Sequence, residues 1–274
     1  MIIDGMPKAA FKVAAIQMVS APDVEANLAV AGQLVAEAAQ QGAKLVALPE
    51  YFCLMGMAET DKLRLCEQDG DGVVQAFLAR VSACHKVWVV GGTVPMCSND
   101  PERVRNSCMV YDDNGHRVAR YDKIHLFGYE NERERYREAA TIEAGDQPTA
   151  VDTPFGRLAL SVCYDVRFPE LYRALAPVDL ITIPSAFTAT TGSAHWEILV
   201  RARAVENLAY VIAPAQGGTH PNGRRTHGHS MIVDPWGKIL AERAEGPGVV
   251  IAEIDPNYQA GVRASLPALE HRVL

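Results

Sequence analysis

Residues 45–52 read LVALPEYF, and residues 180–187 read LITIPSAF. Each is a short run of branched apolar residues, stopped by a Pro and ending in Phe. A run of this length bounded by a breaker reads as a strand buried on both faces. Two more pairs recur in the same order. CMVYDDNGHRVA (108–119) lines up with SMIVDPWGKILA (230–241), each reading as a β-hairpin whose turn ends in Gly, and VAAIQM (13–18) parallels LALSVC (158–163). The offsets, 135, 122 and 145 residues, differ, so the loops differ between copies. The order predicts two related halves, about 10–125 and 150–254. Each half is expected to supply one sheet, with the two sheets facing each other across one core.

Working outward, strand and helix patterns alternate. FKVAAIQ (11–17), KLVALPE (44–50) and KVWVVGG (86–92) read as strands of the first half; GRLALSV (156–162), DLITIPS (179–185) and AYVIAPA (209–215) read as strands of the second. Residues 23–41 read as an amphipathic helix capped by Asp23, with Leu28, Ala31, Val35 and Ala38 on one face and Gly42 at its end. Val73, Val74, Phe77, Leu78 and Val81 have helical spacing, as do the stretches near 168–176 and 193–207. This alternation predicts an α/β fold with helices packed on a buried sheet. No Pro/Gly/Ser-rich linker divides the halves, so one domain over 1–274 is expected, with a core of about 10–255 and a tail over 256–274. The joining segment YENERERYREAATIEAGD (129–146) alternates charges and has few apolar anchors, which predicts a solvated loop or short helix.

Composition narrows the function class. The 274 residues carry 26 Lys plus Arg against 33 Asp plus Glu, a net charge of −7, which argues against a general nucleic-acid binder. No apolar run reaches transmembrane length, and the start lacks the basic and apolar regions of a signal peptide. A cytoplasmic protein without membrane contact is expected. The six cysteines, Cys53, Cys66, Cys84, Cys97, Cys108 and Cys163, contain no C-x-x-C pair and are expected as reduced thiols.

Three polar residues stand where strands end, and in α/β sheets ligands lie beyond the carboxyl ends of strands. Glu50 ends LVALPE, Cys163 ends LALSVC, and Lys123 follows the hairpin strand HRVARYDK. Brought together, they suit acyl transfer. A thiol is a strong nucleophile once its proton is removed, a carboxylate can remove it, and a fixed cation can hold an oxyanion. Taken singly, each also reads as structural: a buried thiol, a solvated Glu, a solvated Lys.

The blocks ALPEYF around Glu50, RYDKIHLF around Lys123 and SVCYDVRFPELYR around Cys163 resemble, in order and spacing, the three signature blocks of the nitrilase superfamily of carbon–nitrogen hydrolases. The similarity extends over about 10–255. PSAFTATTGSAHWEILVRARAVENLAYVIAPAQ and THGHSMIVDPWGK resemble its Nit branch, which includes amidases acting on deaminated glutathione and related ω-amidases. The resemblance implies a four-layer αββα sandwich with Glu50 as general base and acid, Lys123 as oxyanion stabiliser and Cys163 as the acylated nucleophile. It also implies a second glutamate, assigned to Glu138, seven residues before Gly145, to orient Lys123. Gly128 departs from the Nit pattern, where an Asp is common after HLF.

The implied function is a cofactor-independent amidase. It would cleave the amide of a small carboxylate-bearing substrate, a deaminated glutathione or a dicarboxylic acid ω-monoamide, to acid and ammonia through a cysteinyl thioester. The alternatives are an N-carbamoyl amine hydrolase, an aliphatic amidase, a nitrilase, or a non-catalytic binding protein of the same fold. The Tyr164 N–H is expected in the oxyanion site, and Phe187 and Thr188 as pocket walls. Arg167 suits either a substrate carboxylate or an ion pair with Asp165 or Glu170. His195 and Trp196 open a helix and suggest packing or a subunit contact. No metal is expected: His227 and His229 lack a third ligand, and DGDG (69–72) has Arg80 where a calcium loop needs Glu. The superfamily forms dimers and larger assemblies, so a homodimer or larger homo-oligomer is expected, with 193–207 and 255–274 as contacts.

Overall fold

The computed structural model describes residues 9–132 and 135–273. The first half supplies β1 (Phe11–Gln17), α1 (Val24–Gln40), β2 (Ala43–Ala47), α2 (Asp61–Arg64), α3 (Val73–His85), β3 (Trp88–Val90), β4 (Val94–Cys97), β5 (Val104–Tyr111) and β6 (Arg117–Asp122). A hairpin follows, β7 (Gly128–Glu130) and β8 (Arg135–Arg137). The second half supplies β9 (Ala150–Thr153), β10 (Gly156–Leu160), α4 (Pro169–Leu175), β11 (Leu180–Thr182), α5 (Ala189–Asn207), β12 (Tyr210–Ala213), the hairpin β13 (Gly217–Thr219) and β14 (Arg225–His227), then β15 (Ser230–Val233) and β16 (Ile239–Arg243). β17 (Gly248–Ile254) and α6 (Pro256–Ser265) end the chain's regular structure.

One sheet has the order β17-β1-β2-β3-β5-β4, with β6 on β5; the other runs β16-β15-β12-β11-β10-β9. In both, a parallel trio forms the middle, β1-β2-β3 and β12-β11-β10. One strand departs from the expected half-per-sheet division. β17, from the second half, pairs antiparallel with β1 along its whole length, from Phe11↔Ile254 to Gln17↔Gly248. Its alternation explains the choice: Val250, Ala252 and Ile254 face the inter-sheet core, and Val249 and Ile251 pack toward α1 and α3.

Alternating side chains build the four layers. Along β1, Val13 and Ala15 enter the core shared with the second sheet; Ala14 and Ile16 enter the core under α1 and α3. The expected α1 face is buried, and Asp23 caps the helix by accepting from the Ala26 N–H. α4 and α5 cover the other sheet through Leu171, Tyr172, Trp196, Val200 and Ala204. The architecture is therefore an αββα sandwich. Among the described residues no helix is long and apolar enough to cross a membrane.

One expectation is corrected and another is extended. Cys66 and Cys97 form a disulfide with a Cα–Cα distance of 4.9 Å; Cys53, Cys84, Cys108 and Cys163 are free. The pairing follows from the chain lying beside β4, where Cys97 N–H donates to Glu67 O and Glu67 N–H to Pro95 O. The segment 129–146, expected as a solvated loop or short helix, holds the short 3₁₀ helix Glu138–Ala140, preceded by the β7–β8 hairpin, which that expectation did not include. Tyr129 and Tyr136 are paired across it, with charged neighbours pointing away. Arg133 and Glu134 lie outside the described residues.

Candidate active site

Glu50 sits in the turn after β2, and Tyr51 behind it has φ +56°. Gly92 (φ +53°) packs so closely that a Cβ would lie 2.2 Å from Pro49 O, so only glycine lets the two strand ends approach. Lys123 follows β6, and its N–H donates to Asn106 O on β5 (3.0 Å). Cys163 opens a 3₁₀ turn, Cys163–Arg167, directly after β10 and Val162. Its φ of +49° is a strained value for a residue with a Cβ. The N–H of Cys163 donates to Pro184 O (2.9 Å), which ties the nucleophile candidate to the repeated Pro of the neighbouring strand.

The structure brings Glu50, Lys123, Cys163 and Glu138 into one buried cluster. Lys123 Nζ donates to Glu50 Oε1 (2.8 Å) and to both oxygens of Glu138 (2.8 and 3.0 Å), with its side chain wholly buried. Glu138, in a 3₁₀ turn after β8, also accepts from Tyr51 OH (3.0 Å) and the Phe127 N–H (2.7 Å). Glu50 accepts from Asn106 Nδ2 (3.0 Å) and shares a cavity with the Cys163 thiol, while Gln216 Nε2 donates to its backbone oxygen (3.0 Å). Taking one ammonium and two carboxylates out of water is costly unless every partner is present, and here each is.

Two carboxylates sharing one ammonium are pushed apart in acidity. Burial raises Glu50, Lys123 opposes it, and the charge of Glu138 adds to the rise. Burial acts upward on Glu138 too, but Lys123 and its hydrogen bonds hold that carboxyl below its usual range. Burial by itself would lower Lys123; Glu138 and Glu50 overcome this and raise it well above its usual value, so it stays an ammonium. Burial and then the Glu50 charge hold the Cys163 thiol well above its usual range. The resting site thus holds a thiol, a cation, a Glu138 held toward its ionised form and a Glu50 suited to exchange a proton.

One further carboxylate holds the blocks together. Asp165 accepts from Tyr121 OH (2.7 Å), the Val162 N–H (2.8 Å) and the His125 N–H (3.0 Å), with His125 Nδ1 at 2.7 Å. His125 stacks on Phe168 at 3.7 Å. The Lys123 block and the Cys163 block are therefore pinned to each other by a fully buried Asp.

Phe187 and Thr188 line the same cavity as Cys163, Glu50 and Glu138, as does Tyr164. The Tyr164 N–H belongs to the first turn of its 3₁₀ helix, where N–H groups lack intrahelical acceptors. Arg167 does not make the ion pair with Asp165 or Glu170. Asp165 is committed to Tyr121 and His125, and the guanidinium instead hydrogen-bonds His195 Nδ1 (3.2 and 3.3 Å) over the rings of Tyr164 and Phe187. His195 is exposed, whereas Trp196 is buried and donates to His229 O. Gly128 is exposed, and a side chain there would meet nothing within 4 Å.

Sequence reasoning passed over Tyr51, Asn106, Phe127, Gln216 and Arg224. Arg224 lines the cavity from the loop between β13 and β14. The signal was faint: a pair of arginines after a Gly turn, beside the two histidines that drew attention. Those histidines stack at 4.4 Å, and burial lowers His227 to about 4. Among the described residues no group of three potential ligands surrounds a metal position.

Comparison with known proteins agrees with the geometry. Residues 12–264 match the carbon–nitrogen hydrolase family. The deaminated glutathione amidase of Synechocystis sp. (strain PCC 6803) is 44% identical over 266 residues, 95% of this chain and 97% of that protein. The crystal structure of the C. elegans NitFhit protein aligns with a TM-score of 0.89 at 37% identity, over 98% of this chain and 66% of that longer one. Saccharomyces cerevisiae Nit3, a member of branch 10 of the nitrilase superfamily, aligns with a TM-score of 0.88 at 30% identity, over 98% of both chains.

Proposed function

The chain belongs to the carbon–nitrogen hydrolase family, and we propose that it is a thiol-dependent amidase acting on a small carboxylate-bearing amide. The observation that carries this reading is Lys123 Nζ held between Glu50 and Glu138 beside the Cys163 thiol. In the first step Cys163 Sγ attacks the amide carbonyl carbon as its proton passes to Glu50. Because burial disfavours a free thiolate, this transfer accompanies attack and does not precede it. Lys123 Nζ and the Tyr164 N–H hold the oxyanion, a contribution of about 3–4 kcal/mol per donor in comparable sites. Glu50 then protonates the nitrogen, the C–N bond breaks and the amine leaves a thioester on Cys163. Water gives its proton to Glu50 and attacks the thioester, releasing the acid and restoring the thiol.

A deaminated glutathione and a dicarboxylic acid ω-monoamide both fit this scheme. A primary ω-amide releases ammonia; both amides of a glutathione skeleton are secondary, so there the departing group is an amine. The test is mass spectrometry of the quenched enzyme with each amide, beside a carbamoyl amine, an aliphatic amide and a nitrile. An acyl adduct on Cys163 from the carboxylate-bearing amides is expected. Adducts from only the other classes, or none, would replace the reading with the alternative they indicate. A homodimer or larger assembly in the cytoplasm belongs to the same proposal. It is supported by the exposed Ile198 (68%) and Trp236 (60%) beside α5, and light scattering of the purified protein tests the assembly.

A further inference from the structure

Among the described residues lining the site, Arg224 is a cation whose hydrogen-bonding capacity is conspicuously unfilled. Its side chain is 15% exposed, and Nε is buried without a hydrogen-bond partner among the described residues. Among the described residues the nearest carboxylate, Glu59 Oε1, stands at 3.9 Å and is itself 63% exposed. Lys123 and Lys62, by contrast, are held at 2.8 Å by carboxylates. The loop that carries Arg224 is firmly placed: its N–H donates to Asn222 Oδ1 (2.9 Å), its carbonyl accepts from the His220 N–H (2.9 Å), and Asn222 Nδ2 donates to Gly56 O (2.7 Å). A guanidinium offers five donors in a planar fork, and burying it without a close anion is costly. The site lacks a carboxylate that a ligand can bring.

Its neighbours say which end of a ligand. The guanidinium lies 5.0 Å from the Tyr136 ring; Tyr136 meets Phe127 at 5.6 Å, Phe127 meets Tyr164 at 5.3 Å, and Arg167 lies 5.6 Å from Tyr164. An aromatic wall beside Cys163 therefore ends in an arginine at each side. Arg167 belongs to the nucleophile's own turn, where the acyl group attaches. Arg224 also borders a second cavity lined by Tyr51 and Asn106, the chain neighbour and hydrogen-bond partner of Glu50. Glu50 is the group that faces the departing nitrogen.

We propose that Arg224 binds a carboxylate carried on the amine side of the scissile C–N bond, so that the site selects amides acidic on both sides of that bond. The inference rests on the amidase reading above and narrows it, favouring secondary amides of amino acids or short peptides over primary ω-amides. The balance of charges fits: an incoming carboxylate replaces Glu59, a distant and largely solvated partner, with a bidentate one.

The experiment compares glutaryl-glycine with glutaryl-glycinamide, which differ only in the amine-side charge. The readout is the ratio of their kcat/KM values on one enzyme preparation, in which any misfolded fraction cancels. The wild type is expected to favour the acid, and Arg224→Gln to reduce that ratio about 100-fold, mainly through KM, the scale for truncating one partner of a buried charge pair. Glu59→Gln, an exposed change that removes the competing carboxylate, is expected to raise the ratio. A ratio unmoved by Arg224→Gln, or equal losses on both amides, overturns the proposal. If the wild type hydrolyses neither amide and forms no adduct on Cys163, the amidase reading fails instead. Calorimetry of glutaryl-glycine with Cys163→Ala and with Cys163→Ala/Arg224→Gln then still decides whether Arg224 binds the carboxylate: loss of binding in the double variant supports it, and equal or absent binding refutes it.

Discussion

At the end of β2 the repeated block delivers Pro49, Glu50, Tyr51 and Phe52; at the end of β11 the same block delivers Pro184, Ser185, Ala186 and Phe187. Glu50 meets Lys123 and Cys163, whereas the Ser185 hydroxyl donates to Ile183 O (2.9 Å) and Pro184 O receives the Cys163 N–H. The inverse holds for the other repeated strand. β10 runs on to Cys163, and β1 runs on to Met18, which is buried and bridges Gln216. On the proposed mechanism, each half thus carries one reacting group and one structural residue at equivalent places. The repeated backbone motif explains why a side chain arrives at a sheet end. The proposed chemistry arises where a strand end of one half meets the complementary strand end of the other.

This contrast can be broken by substitution, most severely first. Cys163→Ala is expected to abolish turnover and acyl-adduct formation, while Met18→Leu at the equivalent strand end should change turnover little; steady-state rates and intact mass check both. Glu50→Gln leaves the shape but removes the proton acceptor, and should lower kcat/KM by about 10²–10⁴. Glu138→Gln should lower the rate less and also move the pH profile. On the proposed mechanism Glu50 must be ionised to accept the thiol proton, so activity falls as pH drops through its value, which is raised above the usual carboxylate range. The Glu138 charge contributes to that rise, so its removal should shift the acid limb to lower pH; an unmoved limb would separate the two carboxylates. Ser185→Ala is the smallest change. It deletes one buried hydrogen bond, with an expected loss of about 1 kcal/mol in urea melts and less than a threefold change in rate.

Much of this was legible from the chain. Apolar runs stopped by Pro, the Asp23 cap and the Gly-ended hairpins are local signals, and each structural element they indicate is present. Glu50, Lys123 and Cys163 stood out as candidates because strand ends are where such sheets bind ligands, and the resemblance of their three blocks to the nitrilase superfamily selected them over the structural reading. Glu138 was reachable only by resemblance: in ERERYRE its carboxylate looks like every other, and what distinguishes it is the Lys123 ammonium and the Phe127 N–H, both supplied from other parts of the chain. The β7–β8 hairpin hid for a related reason, since its tyrosines pair across a stretch otherwise dominated by charge. The Cys66–Cys97 pairing and the position of Arg224 depend on long-range docking of loops, which no local pattern encodes.

The antiparallel pairing of β17 with β1 also governs how the protein is made. β17 follows β1 only after most of both halves has been synthesised, so at about 5–20 residues per second β1 waits on the order of 10–50 s for its outer neighbour. During that interval β2 can cover one edge of β1, and the other presents a row of unpaired peptide groups open to pairing with a second nascent chain. Closure of the first sheet therefore comes long after β1 is made, and a chain truncated before Gly248 would keep Glu50, Lys123 and Cys163 yet carry an open, aggregation-prone sheet edge.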